Sequence, residues 1–213
     1  MSEARRTYVP AAGHDWALPF YDTFVALLGG NRARALLLEQ ARLLPGQLIL
    51  DIGCGTGTFV VFLKRRQPQC EVIGLDPDPK ALLRARAKAK RAGVAARFDE
   101  GYSDVMPYPD RSFDRVFSSF MFHHLAPKEQ ESTLREVRRV LKLGGQFHLM
   151  DFMMGNRGGF LARVVHSHQH VRDNSERRLL ELFRDAGLID GRKVAESQMM
   201  FGQAHLAYFS AAG

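Results

Sequence analysis

The chain has 213 residues, 46% of them hydrophobic and 25% charged, which is enough apolar material for one sizeable core and too much for a disordered chain. Its longer apolar runs, such as Phe59-Val60-Val61-Phe62-Leu63, fall far short of the ~18 residues that cross a bilayer. The opening stretch, Met1 to Pro10, carries Glu3, Arg5 and Arg6 and no apolar signal core, so no secretory leader is expected. Two cysteines, Cys54 and Cys70, exclude a disulfide scaffold and a four-thiolate zinc site and point to a reducing, cytoplasmic setting.

The net charge is +7, from 30 Lys and Arg against 23 Asp and Glu. Such a balance invites an anionic partner: nucleic acid, a membrane surface or an acidic substrate. Much of it sits between Lys80 and Arg91, where basic residues alternate with alanines and Arg84, Lys88 and Arg91 share one helical face. Taken by itself, that pattern predicts a solvated helix face.

In chain order, residues 15–44 read as one or two helices, broken at Pro19 and at Gly29-Gly30. Gln47 to Leu50 is strand-like and ends at Asp51; a glycine loop follows, then a helix over Phe59 to Arg66. Glu71 to Leu75 is a second strand, followed by the basic helix, and Ala95 to Phe98 is a third, weaker strand. Phe113 to Ser118 is a fourth, followed by a helix over Pro127 to Leu141 that Gly144-Gly145 is expected to end, and Gln146 to Met150 is a fifth. Buried strands alternating with helices predict a parallel, doubly wound sheet. The stretch Met153 to Asn174 fits neither period and reads as a lid, since long irregular insertions after a strand tend to be functional. A helix over 175–186 closed by Gly187 precedes strands at Lys193 to Met199 and Ala204 to Phe209, antiparallel neighbours across a turn at Gly202.

The strongest local signal is Leu50-Asp51-Ile52-Gly53-Cys54-Gly55-Thr56-Gly57-Thr58. Glycines at alternate positions after a strand allow close backbone approach. The second strand ends in Leu75-Asp76, 19 residues past Gly57, where a carboxylate can accept both hydroxyls of a ribose. Two ligand classes compete. The dinucleotide fingerprint needs a third glycine three positions after the second, where this chain has Thr58; the spacing here is Asp-x-Gly-x-Gly-x-Gly instead.

That spacing resembles motif I of the class I S-adenosylmethionine-dependent methyltransferases. The likeness continues through Gly74-Leu75-Asp76-Pro77-Asp78, through Met106 to Asp114 (similar to "LPFPDxSFD"), through Phe122-His123-His124-Leu125, and through the helix with Glu136, Arg138, Arg139 and the following Gly144-Gly145. The ordered matches cover residues 47–152 and are most similar to the ubiquinone and menaquinone biosynthesis methyltransferases and other small-molecule methyltransferases. The resemblance implies an α/β fold, a doubly wound, mostly parallel, seven-stranded Rossmann-like sheet with a terminal antiparallel strand. It implies one domain over 1–213: a helical cap (1–44), a cofactor-binding core (45–152), and a lid segment with a C-terminal helix and strands (153–213).

It also implies roles. Asp51, with the backbone of Gly53, Cys54, Gly55 and Gly57, would hold the methionine part of S-adenosyl-L-methionine; Asp76 would take the ribose and Pro77 would pack on the adenine. Ser118 or Ser119 would offer a carbonyl to the ammonium, and Tyr21 in the cap could touch the carboxylate. Family members often carry an acid in the loop after strand three, where this chain has Gly101-Tyr102-Ser103. Tyr102 and Ser103 therefore stand on the adenine side without the usual carboxylate, and Asp99, Glu100, Asp104 or backbone amides are the substitutes.

Methyl transfer from a sulfonium is an in-line displacement with a neutral thioether leaving group, so geometry and water exclusion do much of the work. A phenol, enol or carbon acid would also need a base, and His123, His124 and Asp151 are the candidates. His166, His168 and His170 would share one side of a strand but spread over roughly 200° on a helix, so no metal site is expected. The reading is an enzyme methylating a small or lipid-like acceptor. An RNA methyltransferase is the alternative that the charge suggests, opposed by the lack of an Asn-Pro-Pro-Tyr motif, a Pro-Cys nucleophile or an added RNA-binding module. A nicotinamide-dependent or nucleotide-binding protein is the alternative of another class. No feature of the sequence sets an oligomeric state.

Overall fold

The computed structural model describes residues 29–153, 176–199 and 204–213. Helix α1 (Asn31–Gln40) leads into strand β1 (Leu48–Ile52), helix α2 (Thr58–Arg66), strand β2 (Glu71–Asp76) and helix α3 (Pro79–Ala92). Strands β3 (Arg97–Glu100) and β4 (Phe113–Ser119), a short 3-10 turn (Phe122–His124) and helix α4 (Pro127–Val140) follow. The chain ends in β5 (Leu141–Met153), α5 (Glu176–Asp185), β6 (Ile189–Met199) and β7 (Ala204–Ala212). The strands form one sheet in the order β3-β2-β1-β4-β5-β7-β6. β1 to β5 pair in parallel, and β7 runs antiparallel to both β5 and β6.

Alternation along the strands divides the core in two. Ile49, Val72, Phe117 and Met150 face α1, α2 and α3, whereas Leu50, Ile73, Val116, Phe147 and Leu149 face α4 and α5. Helices on both faces bury both sides of the parallel strands, which is why β1 and β2 read as continuous apolar runs. The strand order reverses between β1 and β4, and such a sheet binds ligands beyond the carboxyl ends of the strands at that point.

Several expected boundaries move. β3 lies two residues later than Ala95 to Phe98, because Arg97 to Glu100 are the residues that pair with Ile73 to Asp76. Helix α4 stops at Val140, before the glycine pair. The amides of Arg111 and Ser112 donate to the carbonyls of Arg139 and Val140 (2.9 and 2.8 Å), and Leu141 turns extended and fully buried to pair with Phe113. Gly144-Gly145 instead falls in β5, within a break of its register with β4. β5 continues past Met150 to Met153, and the two final strands are longer than expected. The glycine at 202 and the histidines at 166, 168 and 170 lie outside the described residues, as do residues 1–28 of the cap.

The basic helix is only partly solvated. Asp78 caps it, accepting the Lys80 amide (2.8 Å), and Leu82, Ala85 and Ala89 pack inward. Lys88, however, turns toward the glycine loop and donates to the hydroxyls of Thr56 (2.9 Å) and Thr58.

Candidate active site

At the end of β1, Asp51 is 1% exposed, and neither of its carboxylate oxygens has a hydrogen-bond partner among the described residues. Burial, reinforced by the nearby Asp76, pushes its carboxyl well above the usual carboxylate range, and the buried Arg34 of α1 offsets this only in part. A buried carboxylate without donors is costly and is the kind of group a bound cation would satisfy.

The loop that follows has spent its amides. Gly53 and Cys54 donate to the Leu75 carbonyl (2.8 and 3.0 Å), Gly55 donates to Asp76 Oδ2 (2.8 Å), and Gly57 donates to the Cys54 carbonyl (2.9 Å). A phosphate-binding loop works through free amides aimed at the anion, and these four are committed inside the protein. The glycines serve packing instead. A Cβ on Gly57, which has φ of +73°, would sit 2.8 Å from the Ala85 Cβ, and one on Gly53 would run into Met121.

Asp76 closes β2. Its Oδ1 accepts the Asp78 amide (2.9 Å) and its Oδ2 the Gly55 amide, so the carboxylate is held in one orientation at the mouth of the loop. Burial pushes its carboxyl up to about 6, despite the two amide bonds that favour its charged form. Pro77 follows it, half-buried. Cys54, pressed against Gly74, has a thiol that burial and the charges of Asp76 and Asp51 hold well up, so it is no resting nucleophile.

β4 ends at Ser118, fully buried with its hydroxyl unbonded, and Ser119. Phe120 then takes a left-handed backbone (φ +57°), rare for an aromatic residue, and its amide donates to the Met150 carbonyl (3.1 Å). This bend throws the 3-10 turn across the end of β5. Asp151, fully buried there, receives the His123 amide on Oδ2 (2.8 Å) and the Phe152 amide on Oδ1 (2.8 Å). Its Oδ1 also lies 2.5 Å from His123 Nδ1. Because that oxygen already accepts an amide, the hydrogen of this contact belongs to Nδ1, and a neutral His123 carries its lone pair on Nε2. Asp151 thus holds His123 through two contacts. The His124 ring lies 3.9 Å from that of His123, and Phe120 and Phe152, 5.2 Å apart, build an aromatic wall beside them.

The structure therefore brings Asp51, Gly53, Cys54, Gly55, Gly57, Asp76, Pro77, Ser118, Ser119, His123, His124 and Asp151 to one edge of the sheet. Ser103 is turned to α4, its hydroxyl 2.9 Å from that of Thr133, and Tyr102 forms a bridge with Val105. Of the substitute acids, Asp99 is committed to Arg97 (2.8 Å) and to the Tyr108 hydroxyl (3.0 Å). Tyr21 lies outside the described residues. Sequence reasoning missed Arg34, Met121, Phe120 and Phe152. A cation in the cap helix and aromatics just after two strand ends were the available signals.

The family-like segment Met106 to Asp114 is tied down by structural bonds. Arg139 of α4 donates to the carbonyls of Tyr108 (2.7 Å) and Met106 (3.1 Å) and to Glu136 and Asp110, while Glu136 accepts the Met106 amide (2.7 Å). Asp114 accepts the Leu48 amide (2.9 Å) and pins β1 to β4.

Residues 49–145 match a family described as a methyltransferase domain. The chain is 40% identical over 157 residues to a demethylmenaquinone methyltransferase of Deinococcus radiodurans, covering 72% of this chain and 64% of that protein. It is 35% identical over 130 residues to a ubiquinone/menaquinone biosynthesis C-methyltransferase of Xanthomonas campestris pv. campestris, covering 59% of this chain and 50% of that one. The chain thus spans less than two thirds of the length of these curated relatives. A solved phosphoethanolamine N-methyltransferase of Haemonchus contortus, in complex with S-adenosyl-L-methionine, superposes with a TM-score of 0.70 at 16% identity, covering 85% of this chain and 52% of that one, and so shares the fold. An unpaired carboxylate near the end of β1, a glycine loop whose Gly53, Cys54, Gly55 and Gly57 amides are engaged, and these likenesses over the core agree, and the chain belongs to the class I S-adenosylmethionine-dependent methyltransferase family.

Proposed function

We propose that the protein transfers a methyl group from S-adenosyl-L-methionine to a small or lipid-like acceptor with a ring. The observation that carries the cofactor is the pairing of an orphan buried carboxylate, Asp51, with a loop whose Gly53, Cys54, Gly55 and Gly57 amides are all engaged. That combination suits an amino-acid ammonium and opposes the pyrophosphate of a dinucleotide. Asp51 would hold the ammonium and Asp76 the ribose diol. When bound, the cofactor supplies an electrophilic methyl on a sulfonium, whose departure as a thioether needs no acid.

The protein's own work is then to exclude water, align the acceptor and manage its proton. His123 Nε2 is the base we assign, its ring fixed by Asp151 through the Nδ1 contact and the backbone amide. Phe120 and Phe152 supply an apolar, aromatic flank for the acceptor. The relatives named for quinone biosynthesis support the same acceptor class. We take residues 1–213 as one domain, with residues 1–44 as cap and 153–174 as lid. Two buried unpaired thiols suit a cytoplasmic setting, and among the described residues no helix is long and apolar enough to cross a membrane.

Thermal shift with S-adenosylmethionine, S-adenosylhomocysteine and NAD tests the reading, because a ligand that binds only the folded state raises its midpoint. Both sulfur compounds are expected to raise it and NAD is not; Asp76→Ala is expected to abolish the shift. A shift with NAD alone would reject the proposal.

A further inference from the structure

The whole net charge of the chain lies in one segment. Residues 52–98 hold ten Lys and Arg against three Asp and Glu, a balance of +7, and the other residues carry twenty of each sign. Two of those three acids, Asp76 and Asp78, are buried at the site edge, so Glu71 is the only exposed acid of the segment. All of the cations but Arg97 of β3 come from α2 and α3, which lie side by side on one face of the sheet. Grooves flank α3 on both sides. One, of about 480 Å³, is lined by Arg65, Arg66, Lys88 and Arg91 with no carboxylate; the other, of about 580 Å³, has Lys64, Arg86, Lys90 and Arg97 with Glu71 as its one acid. Arg65, Lys90 and Arg91 are exposed.

At the crest between the grooves stands Leu83, 68% exposed. Helical spacing surrounds it with Lys80, Arg86, Ala87 and Lys90. A large aliphatic side chain ringed by cations has no use in contacting a phosphodiester backbone. The face also presents no exposed aromatic side chain on which a base could stack; Phe62 is half-buried beneath the Arg66 guanidinium. A cationic helix face with an apolar crest fits the headgroup boundary of an anionic bilayer, where the charges meet lipid phosphates and the leucine reaches the acyl edge.

We propose that the α2–α3 face is a docking surface for anionic lipid membranes. The proposal deepens the lipid-like acceptor reading and rests on it. α3 begins three residues after Asp76 at the edge of the sheet that holds the site and runs back to the opposite edge, where Arg65, Lys90 and Arg91 stand. A bilayer lying along the whole helix therefore reaches the site edge at its first turn, where an acceptor dissolved in lipid could enter. The excess of positive charge on this face orients it toward an anionic surface on approach.

Flotation of the full-length protein with vesicles of phosphatidylcholine alone, and with vesicles carrying phosphatidylglycerol, tests this at low and at high salt. Binding is expected to the anionic vesicles only and to weaken steeply with salt. Arg65→Glu/Lys90→Glu/Arg91→Glu is expected to lower it by about tenfold or more, and Leu83→Ser to weaken what persists at moderate salt. None of these four side chains belongs to the site, so melting midpoints and S-adenosylhomocysteine affinity, measured on the same samples, are expected to stay at wild-type values. Absent binding to anionic vesicles, equal binding to neutral ones, or full retention by the triple variant would each overturn the proposal. So would tight binding of a single-stranded RNA at protein concentrations that leave the vesicles bare. Vesicle binding without S-adenosylhomocysteine binding would leave the docking face standing and refute the methyltransferase reading instead.

Discussion

Asp51→Asn separates stability from binding in opposite directions. The wild-type carboxylate is 1% exposed, lacks a hydrogen-bond donor among the described residues, and has its pKa pushed upward chiefly by burial. A carboxyl whose folded-state pKa lies above its unfolded value contributes stability that is complete below about pH 4 and is lost as pH rises toward the folded value. That loss runs at about 1.4 kcal/mol per pH unit. Asparagine has the same shape and no charge to desolvate, so its stability is flat across the range. The ligand-free variant should therefore match or fall below wild type near pH 4 and exceed it at pH 8, by about 1–2 kcal/mol after allowing for its own unsatisfied amide. Cofactor binding should move the other way. Losing a charge-assisted contact to a buried ammonium costs about 3 kcal/mol, roughly a hundredfold in Kd. Urea unfolding at pH 4 and pH 8 and calorimetry with S-adenosylhomocysteine measure the two effects. A variant less stable than wild type at pH 8, or one that binds the ligand within about threefold of wild type, would refute the assignment of Asp51 as an anion waiting for its cation.

Asp151→Asn cannot accept three donors and removes the charge behind His123; kcat should fall about a hundredfold or more while the cofactor Kd stays near wild type. His123→Gln should cost about as much, and the double variant no more than either single one. His148 on β5 is buried with neither ring nitrogen bonded, stacked 5.1 Å from Phe117, and burial with the Arg115 charge takes it down to about 3. Its neutrality stabilises the fold above the ordinary histidine range and that stability is lost as pH falls from about 6.5 toward 3, by about 1.4 kcal/mol per unit. His148→Leu should then unfold with a flatter pH dependence over that window and be no less stable at pH 7, as denaturant titrations would show. Gly57→Ala forces a Cβ to within 2.8 Å of Ala85 at φ +73°, and should destabilise by about 2–4 kcal/mol in the same assay.

What could be read in the sequence was local. The runs Leu48-Ile49-Leu50 and Val72-Ile73 announce strands because both faces of a parallel sheet are covered, and Asp51 and Asp76 stand out because a carboxylate ends each run. Where tertiary pairing decides, the reading failed. Arg97-Phe98-Asp99-Glu100 is a polar edge strand whose identity comes from its register with β2, and the more apolar Ala95-Ala96 drew the expected boundary forward. Gly144-Gly145 looked like a helix stop, yet the stop is made by the loop amides of Arg111 and Ser112 reaching the last carbonyls. The His123–Asp151 contact joins residues 28 apart, so composition could name both as bases but could not show that one orients the other.

The glycine loop shows most sharply why a motif needs its hydrogen bonds. Spacing alone left a sulfonium and a dinucleotide in competition, since both ligand classes use small residues after β1 and an acid after β2. The difference lies in where the amides point. Here the Leu75 carbonyl takes two of them and the Asp76 carboxylate a third, so β2 consumes the donors with which a phosphate would have been bound. The same bonds hold Asp76 in one orientation and leave Asp51, one strand over, without a hydrogen-bond donor among the described residues, its charge only partly offset by Arg34. On the proposed reading, the engaged amides disfavour phosphate and the Asp51 carboxylate favours an ammonium, so selectivity would follow from the chain's own pairing of β1 with β2 together with that one side chain of the motif.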